Sequence, residues 1–306
     1  MEIIVLGAGA IGSLYGAKLA ANNDVTLVAR GEHVDAINAT GLRIGGLESQ
    51  TVRVRATTAL EKIGSSALIL ITTKVSDTAA ALAPIAPFVR DETTIVSLQN
   101  GLDSEKIARR TLGPRGVVLR AITQFGAIFK APGAIQFMAR GYTLLEKHER
   151  SEQIAAVLNA AGLDCRISPD INCDVWHKLI INCVVNPITA ILGCEVGGIA
   201  NPQLDPLKQL VIAECRAVAA SQGVMLEGNI QQEISDFFRP SHNIASMLQD
   251  LRRGQPTEID YLNGAVVALG TRHNIECPVN AALTAIVKAM EATSLVPKKM
   301  LETKPA

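Results

Sequence analysis

The chain has 306 residues, of which 48% are hydrophobic, 19% charged and 3% aromatic, and its 29 basic and 29 acidic residues give a formal net charge of 0. That length accommodates two domains with a well-buried core, and the composition is that of a globular protein. Balanced charge without a Lys/Arg cluster excludes the electrostatic footprint of a nucleic-acid or anionic-membrane binder, so the expected partner is a small molecule.

The opening residues MEIIVLGAGAIG carry no basic leader, and no apolar run approaches the length of a membrane span. A cytoplasmic location is expected. Short β-branched runs at 2 to 6, 24 to 28, 67 to 72, 93 to 98 and 116 to 123 predict strands, with helical patterns between them at Ala10 to Asn22, Ser76 to Val89 and Asp103 to Arg110. That alternation is the pattern of a parallel α/β sheet. The segments LRIGG and QTVRVRA predict a hairpin inserted before the third core strand. Residues 133 to 146 predict antiparallel additions at the far edge of the sheet, followed by a helix at Ser151 to Ala161 and a last strand at DCRIS.

After residue 168 the strand signal ends, and helices are expected at about 171 to 186, 203 to 222, 229 to 238, 243 to 253, 256 to 273 and 278 to 293. The fold expected is α/β: a Rossmann-type domain over 1–168 and a mostly α-helical domain over 169–306. Six cysteines (Cys165, Cys173, Cys183, Cys194, Cys215, Cys277) form no CxxC pair and no ligand spacing with the five histidines. They are expected to be reduced thiols, several of them buried, and no metal is expected.

Gly7, Gly9 and Gly12 form a GxGxxG motif directly after the first strand and at the opening of a helix, the context in which that motif cradles a pyrophosphate. Gly7 permits the tight turn, Gly9 leaves room for the phosphates, and Gly12 lets helix and strand pack closely. Gly7, Ala8, Gly9, Ala10, Ile11 and Gly12 are therefore the expected cofactor loop, with the helix N-terminus supplying N–H groups and partial positive charge. At the end of the second strand, where an acid would accept from an NAD ribose, the sequence VTLVARGEH has Arg30. A guanidinium there suits a 2′-phosphate and predicts NADP(H); the competing reading is a solvated arginine with Glu32 as the nearby acid. Lys74, after the third core strand, is a candidate second cation near the cofactor or a plain strand-end lysine. Gln99, Asn100 and Gly101 end the next strand, at the edge where open α/β sheets bind ligands, although Asn-Gly is also an ordinary turn signal.

The stretch HKLIINCVVNPITAI places Lys178, Asn182 and Asn186 at every fourth position among residues that are otherwise apolar. Residues four apart share a helix face, so an ammonium and two carboxamides point one way from a helix that is otherwise greasy. Pro187 predicts that this helix kinks or ends just beyond them. His177 is a rival acid, but it is rotated about 100° from the asparagine face. Snorkelling of the lysine and capping by the asparagines is the bland alternative.

The stretches GAGAIGSLYGAKLA, ARGEHVDAI, SLQNGLDSE, KLIINCVVNPITAI and SMLQDLRRGQPTEIDYLNG together resemble the ketopantoate reductase family, over residues 1 to about 290. The resemblance implies a Rossmann-type domain, a helical domain resembling the C-terminal one of 6-phosphogluconate dehydrogenase, and NADPH-dependent reduction of 2-dehydropantoate to (R)-pantoate in pantothenate biosynthesis. By motif position, Lys178 resembles the family's catalytic lysine, and Asn182 and Asn186 its substrate-binding asparagines. Ser246 resembles the serine on the substrate carboxylate, Glu258 the glutamate near the reacting oxygen, and Asn100 the asparagine that contacts the cofactor. Taken alone, Glu258 is also the kind of acid that favours the first turn of a helix after Pro256. One position departs from the pattern: some members carry a further substrate asparagine after NPITAI, where this chain has CEVGG with Val196. The expected partners are a small 2-oxo acid and, as a homodimer, a second copy of the chain. Reduction of a different 2-oxo acid on the same scaffold, and NADP(H) sensing without turnover, are the alternatives.

Overall fold

In the computed structural model the described residues, 1–295, belong to two compact units, Met1–Ile171 and the chain from Asn172 onward. The first unit opens with β1 (Glu2–Leu6), α1 (Ala10–Leu19), β2 (Asp24–Val28), α2 (Gly31–Thr40), β3 (Leu42–Gly46), β4 (Gln50–Val52) and β5 (Arg55–Thr57). It continues with β6 (Leu68–Ile71), α3 (Thr78–Leu82), β7 (Thr94–Ser97), α4 (Ser104–Leu112) and β8 (Val117–Thr123). It closes with β9 (Gly126–Ala131), β10 (Ala134–Ala139), β11 (Thr143–Leu145), α5 (Ser151–Ala160) and β12 (Cys165–Ile167).

The main sheet runs β12-β11-β8-β7-β6-β1-β2-β5. From β5 to β8 every neighbour is parallel, which is the doubly wound 3-2-1-4-5-6 order with its switch point between β1 and β6. The central strands are largely apolar because both faces are covered. Ile3, Val5, Leu68, Leu70 and Val96 pack on the side of Leu14, Tyr15 and Ile37, whereas Ile4, Leu6, Ile69, Ile71 and Ile95 pack with Leu82, Ala108 and Leu112.

Two expectations are corrected here. The hairpin predicted before the third core strand splits: β3 and β4 pair antiparallel, but β5 leaves them to extend the main sheet beside β2. The residues expected at the far edge also divide, since only β11 pairs antiparallel with β8, while β10 joins β9 and β3 in a separate four-stranded sheet. The alternation of apolar residues in these segments gives the strand period but not the partner. The helix expected over Ser76 to Val89 is broken into α3 and two short 3-10 turns, as Pro84 and Pro87 require.

The second unit contains α6 (Ile171–Leu192), α7 (Asp205–Ser221), α8 (Ile230–Phe238), α9 (Ser246–Arg252), α10 (Asn263–Arg272) and α11 (Pro278–Leu295). Among the described residues, α6 is the one helix long and apolar enough to cross a membrane, at a mean hydropathy of 1.4, contrary to the expectation that no run would qualify. Much of it is buried in the protein, as a core helix is, and the chain's one tryptophan, Trp176, lies buried in its second turn.

Pro187 does not end α6, which continues through it to Leu192. A proline at 187 removes the N–H that would satisfy the carbonyl of Cys183, four residues earlier. Asn263 on α10 replaces it, donating from Nδ2 to that carbonyl at 3.0 Å and to Asn280 Oδ1 at 2.9 Å. Asn280 in turn donates to Glu214 at 2.7 Å, so the gap in α6 is bridged to α7, α10 and α11. None of the six cysteines is in a disulfide. Burial pushes the Cys183 thiol well above its ordinary value, with Cys215 beside it adding to the effect, so it is chemically quiet.

Asn263→Ala should therefore cost about 1–3 kcal/mol in unfolding free energy, because a buried carbonyl loses its donor. In a Pro187→Ala background the loss should shrink, since a backbone N–H at 187 again reaches Cys183; urea titration of the four proteins measures both.

Candidate functional site

The loop after β1 is built by hydrogen bonds rather than side-chain packing. The N–H groups of Gly7 and Ala8 both donate to the Val28 carbonyl, each at 3.0 Å, which fastens the turn to the end of β2. Gly7 sits at φ +96°, and a Cβ there would lie 2.5 Å from the Thr73 nitrogen. A Cβ on Gly12 would collide with the Gly7 carbonyl and the Thr72 hydroxyl. The fold itself thus demands two of the three glycines. Gly9 differs: it is exposed, its φ of −73° suits any residue, and a Cβ would meet only the Gly7 carbonyl, at 4.0 Å. Among the described residues no close contact requires glycine there, and the bare backbone leaves room for an outside group. The first N–H groups of α1, on Ala10, Ile11 and Gly12, are not used by the helix, whose first turn is closed by Ser13 N–H on the Gly9 carbonyl at 3.0 Å. These residues fit a dinucleotide pyrophosphate.

A buried relay that the sequence did not announce lies beneath this loop. The Gly133 N–H donates to His33 Nδ1 at 2.9 Å, which leaves the ring proton on Nε2, facing Ser13 Oγ at 3.2 Å; the Ser13 hydroxyl in turn donates a hydrogen bond to the Ala8 carbonyl at 3.1 Å. Neutral histidine is required, and burial lowers its pKa below the ordinary value. The one available signal was a histidine at an inward position of the helix after Arg30.

Arg30 stands at the N-cap of α2, just beyond β2, exposed, and its guanidinium forms no ion pair among the described residues. Lys74 caps the 3-10 turn after β6 and is half-buried, as is Asn100 after β7. The two loops are cross-linked by Gln99, whose Nε2 donates to the Thr73 carbonyl and to Thr78 Oγ1, each at 2.8 Å. Gly7 to Gly12, Arg30, Lys74 and Asn100 all follow the carboxyl ends of parallel strands around the switch point.

In the second unit α6 carries Lys178, Asn182 and Asn186 one helical turn apart, on a helix that is continuous through all three. Lys178 is half-buried and Asn186 is buried. The Asn182 Nδ2 is buried with no hydrogen-bond partner among the described residues, an orphaned donor on the face the sequence singled out. His177 is directed elsewhere, its Nε2 lying 2.9 Å from Glu233 on α8. Ser246 is exposed in the first turn of α9. Glu258 is half-buried and opens a 3-10 turn. The residue before it is clamped by a side chain the sequence reading missed: Thr257 donates from N and Oγ1 to buried Glu291 on α11, at 2.7 and 2.6 Å. Val196 is buried, its N–H on the Asn243 carbonyl at 2.8 Å.

An oxidoreductase that holds a nicotinamide dinucleotide is the class this architecture defines. The comparisons narrow it. The sequence matches the family "Ketopantoate reductase PanE/ApbA" over residues 3–150 and its C-terminal counterpart over residues 170–291. It is 37% identical over 300 residues to the 2-dehydropantoate 2-reductase of Pyrococcus horikoshii, covering 95% of this chain and 98% of that one. The Archaeoglobus fulgidus 2-dehydropantoate 2-reductase is 33% identical, at the same coverage. Among solved structures, a PanE/ApbA family ketopantoate reductase from Ralstonia eutropha superposes with a TM-score of 0.89 at 32% identity, covering 96% of this chain and 99% of that one. A D-mandelate dehydrogenase with NADH and anilino(oxo)acetate superposes at 0.90 with 25% identity, over 97% and 100%. The chain belongs to the ketopantoate reductase family.

The histidine relay gives a pH test. His33 has its pKa lowered from 6.5 by folding, so its contribution to stability is complete above that value and is lost as the pH falls through the lower folded value. Unfolding free energy of the wild type should decline below about pH 6.5 more steeply than that of His33→Asn, which keeps an acceptor and cannot take up the proton; urea midpoints across that range decide it.

Proposed function

We propose that the chain reduces 2-dehydropantoate to (R)-pantoate with NADPH, as a cytoplasmic step of pantothenate biosynthesis, with Lys178 as the proton donor. The observation that carries this reading is the face of α6: an ammonium and two carboxamides at successive turns, one of them with a buried donor that bonds no other described residue. Such a face is costly unless a polar ligand meets it. The names of the relatives supply the substrate, and their match along 95% of this chain supports carrying it over.

When bound, NADPH supplies the hydride to the carbonyl carbon. As that carbon is reduced, negative charge builds on the ketone oxygen, and the Lys178 ammonium stabilises it and delivers a proton. Glu258, a carboxylate near the reacting centre in this reading, favours the charged form of the lysine. Asn182 and Asn186 each offer both donor and acceptor atoms, which suits a substrate bearing a carboxylate and a hydroxyl, and Ser246 holds the carboxylate. The N–H groups of the loop from Gly7 to Gly12 take the pyrophosphate, Arg30 the 2′-phosphate, and Lys74 and Asn100 the remaining cofactor contacts.

A second reading is favoured by Val196. Its buried side chain cannot hydrogen-bond a substrate, and the similar D-mandelate dehydrogenase structure contains NADH and a different oxo acid, so the alternative is a reductase of another 2-oxo acid. NADPH oxidation with ketopantoate and a panel of 2-oxo acids, with NADH as control, separates the two: turnover confined to ketopantoate and NADPH is expected, and faster turnover of another acid overturns the substrate. Lys178→Ala should lose about 10²–10⁴ in kcat while the fold survives, and near-normal turnover would remove the lysine from the mechanism. Arg30→Ala should weaken NADPH far more than NADH; an unchanged ratio of kcat/KM for the two cofactors would exclude the phosphate contact.

A further inference from the structure

Arg120 lies in the middle of β8 with its side chain 6% exposed, and no step of the proposed reaction uses it. A cation held out of water is costly unless its N–H groups are met. Here Nη1 donates to Ser104 Oγ and to Glu105 Oε2, the latter at 3.3 Å, while Nη2 donates to two backbone carbonyls, Gln99 O at 2.8 Å and Gly101 O at 2.7 Å. Its Nε is buried and bonds no other described residue, so the arrangement is not optimised for stability alone. Desolvation lowers the pKa of the guanidinium, and Glu105 opposes that shift.

The two carbonyls belong to the residues on either side of Asn100. With both pinned to one planar guanidinium, the peptide planes before and after Asn100 are oriented together. The side chain of Gln99 is turned inward to Thr73 and Thr78, accepting from Ser97 as well. Asn100 is thereby left with a half-buried carboxamide that bonds no other described residue. Ser104 closes the arrangement by sharing a 2.8 Å hydrogen bond with Ser97 at the end of β7.

We propose that Arg120 is a positioning residue for cofactor binding: through the carbonyls of Gln99 and Gly101 it fixes the direction in which Asn100 presents its carboxamide to the nicotinamide dinucleotide. The inference rests on the proposed cofactor role of Asn100. Lysine at 120 retains the charge but cannot span two carbonyls with a planar fork, so the loop turns freely while the strand remains filled.

The test is a double-mutant cycle read by calorimetric titration of the full-length protein with NADPH, using wild type, Arg120→Lys, Asn100→Ala and the double variant. Arg120→Lys should weaken NADPH about 10-fold in the wild-type background and have little effect in the Asn100→Ala background, since the two act as one unit. An equal loss in both backgrounds would show a role in general stability and overturn the proposal. If Asn100→Ala leaves NADPH affinity unchanged, the cofactor role of Asn100 fails first, and this proposal fails with it for that distinguishable reason. Should Arg120→Lys not fold, Glu105→Gln, on the partly exposed helix, removes the anchoring charge; its loss of NADPH affinity must likewise vanish with Asn100→Ala, and persistence of the loss rejects the proposal.

Discussion

One carbonyl oxygen organises the first unit. Val28 O receives the N–H groups of two consecutive residues, Gly7 and Ala8, and no regular strand pairing does this. This pair of hydrogen bonds turns the chain out of β1 at once, which places Gly12 against the loop carbonyl, starts α1 over the sheet and fixes the end of β2 from which Arg30 projects. The turn is reinforced from two sides: Thr72 donates to the Gly7 carbonyl at 2.9 Å from the neighbouring strand end, and Ser13, itself bonded to His33, donates to the Ala8 carbonyl from beneath. Peptide groups oriented in this way need no rearrangement to meet phosphate oxygens, which is how a short loop achieves affinity without large contact area.

In the second unit, the same problem of backbone satisfaction is solved differently. Pro187 sits one residue past Asn186 and deprives Cys183 of its ladder bond. The helix stays intact because Asn263 supplies the donor. A helix that carries its polar face near such a gap keeps its direction only while the neighbouring side chains hold it. The network from Cys183 through Asn263 and Asn280 to Glu214 therefore belongs to the geometry of the asparagine face as much as to the core. Glu291 serves Glu258 in the same manner, by fixing the residue before it.

Periodicity and motif spacing make some of this legible in the sequence. The strand, glycine turn, helix and second strand at the N-terminus are local in sequence, so the cradle and Arg30 could be placed from residues 2 to 30 alone. The face of α6 was equally readable, because four-residue spacing is a property of one helix. What remained hidden depends on contacts distant in sequence: β10 pairing with β3 rather than with the main sheet, His33 meeting Gly133, Arg120 reaching the loop around Asn100, and Glu291 reaching Thr257. Pro187 misled for the same reason. Its local effect is to break a helix, and the compensating amide lies 80 residues beyond the Cys183 carbonyl that it satisfies.

The placement of Trp176 has an optical consequence. The chain contains one tryptophan, and it is buried in α6 half a turn before Lys178. Indole emission depends on the polarity around the ring, and here no second indole contributes to the signal. The protein's tryptophan fluorescence, excited to the red of its three tyrosines, is therefore a spectroscopic label on the lysine-bearing helix, built in without chemical modification.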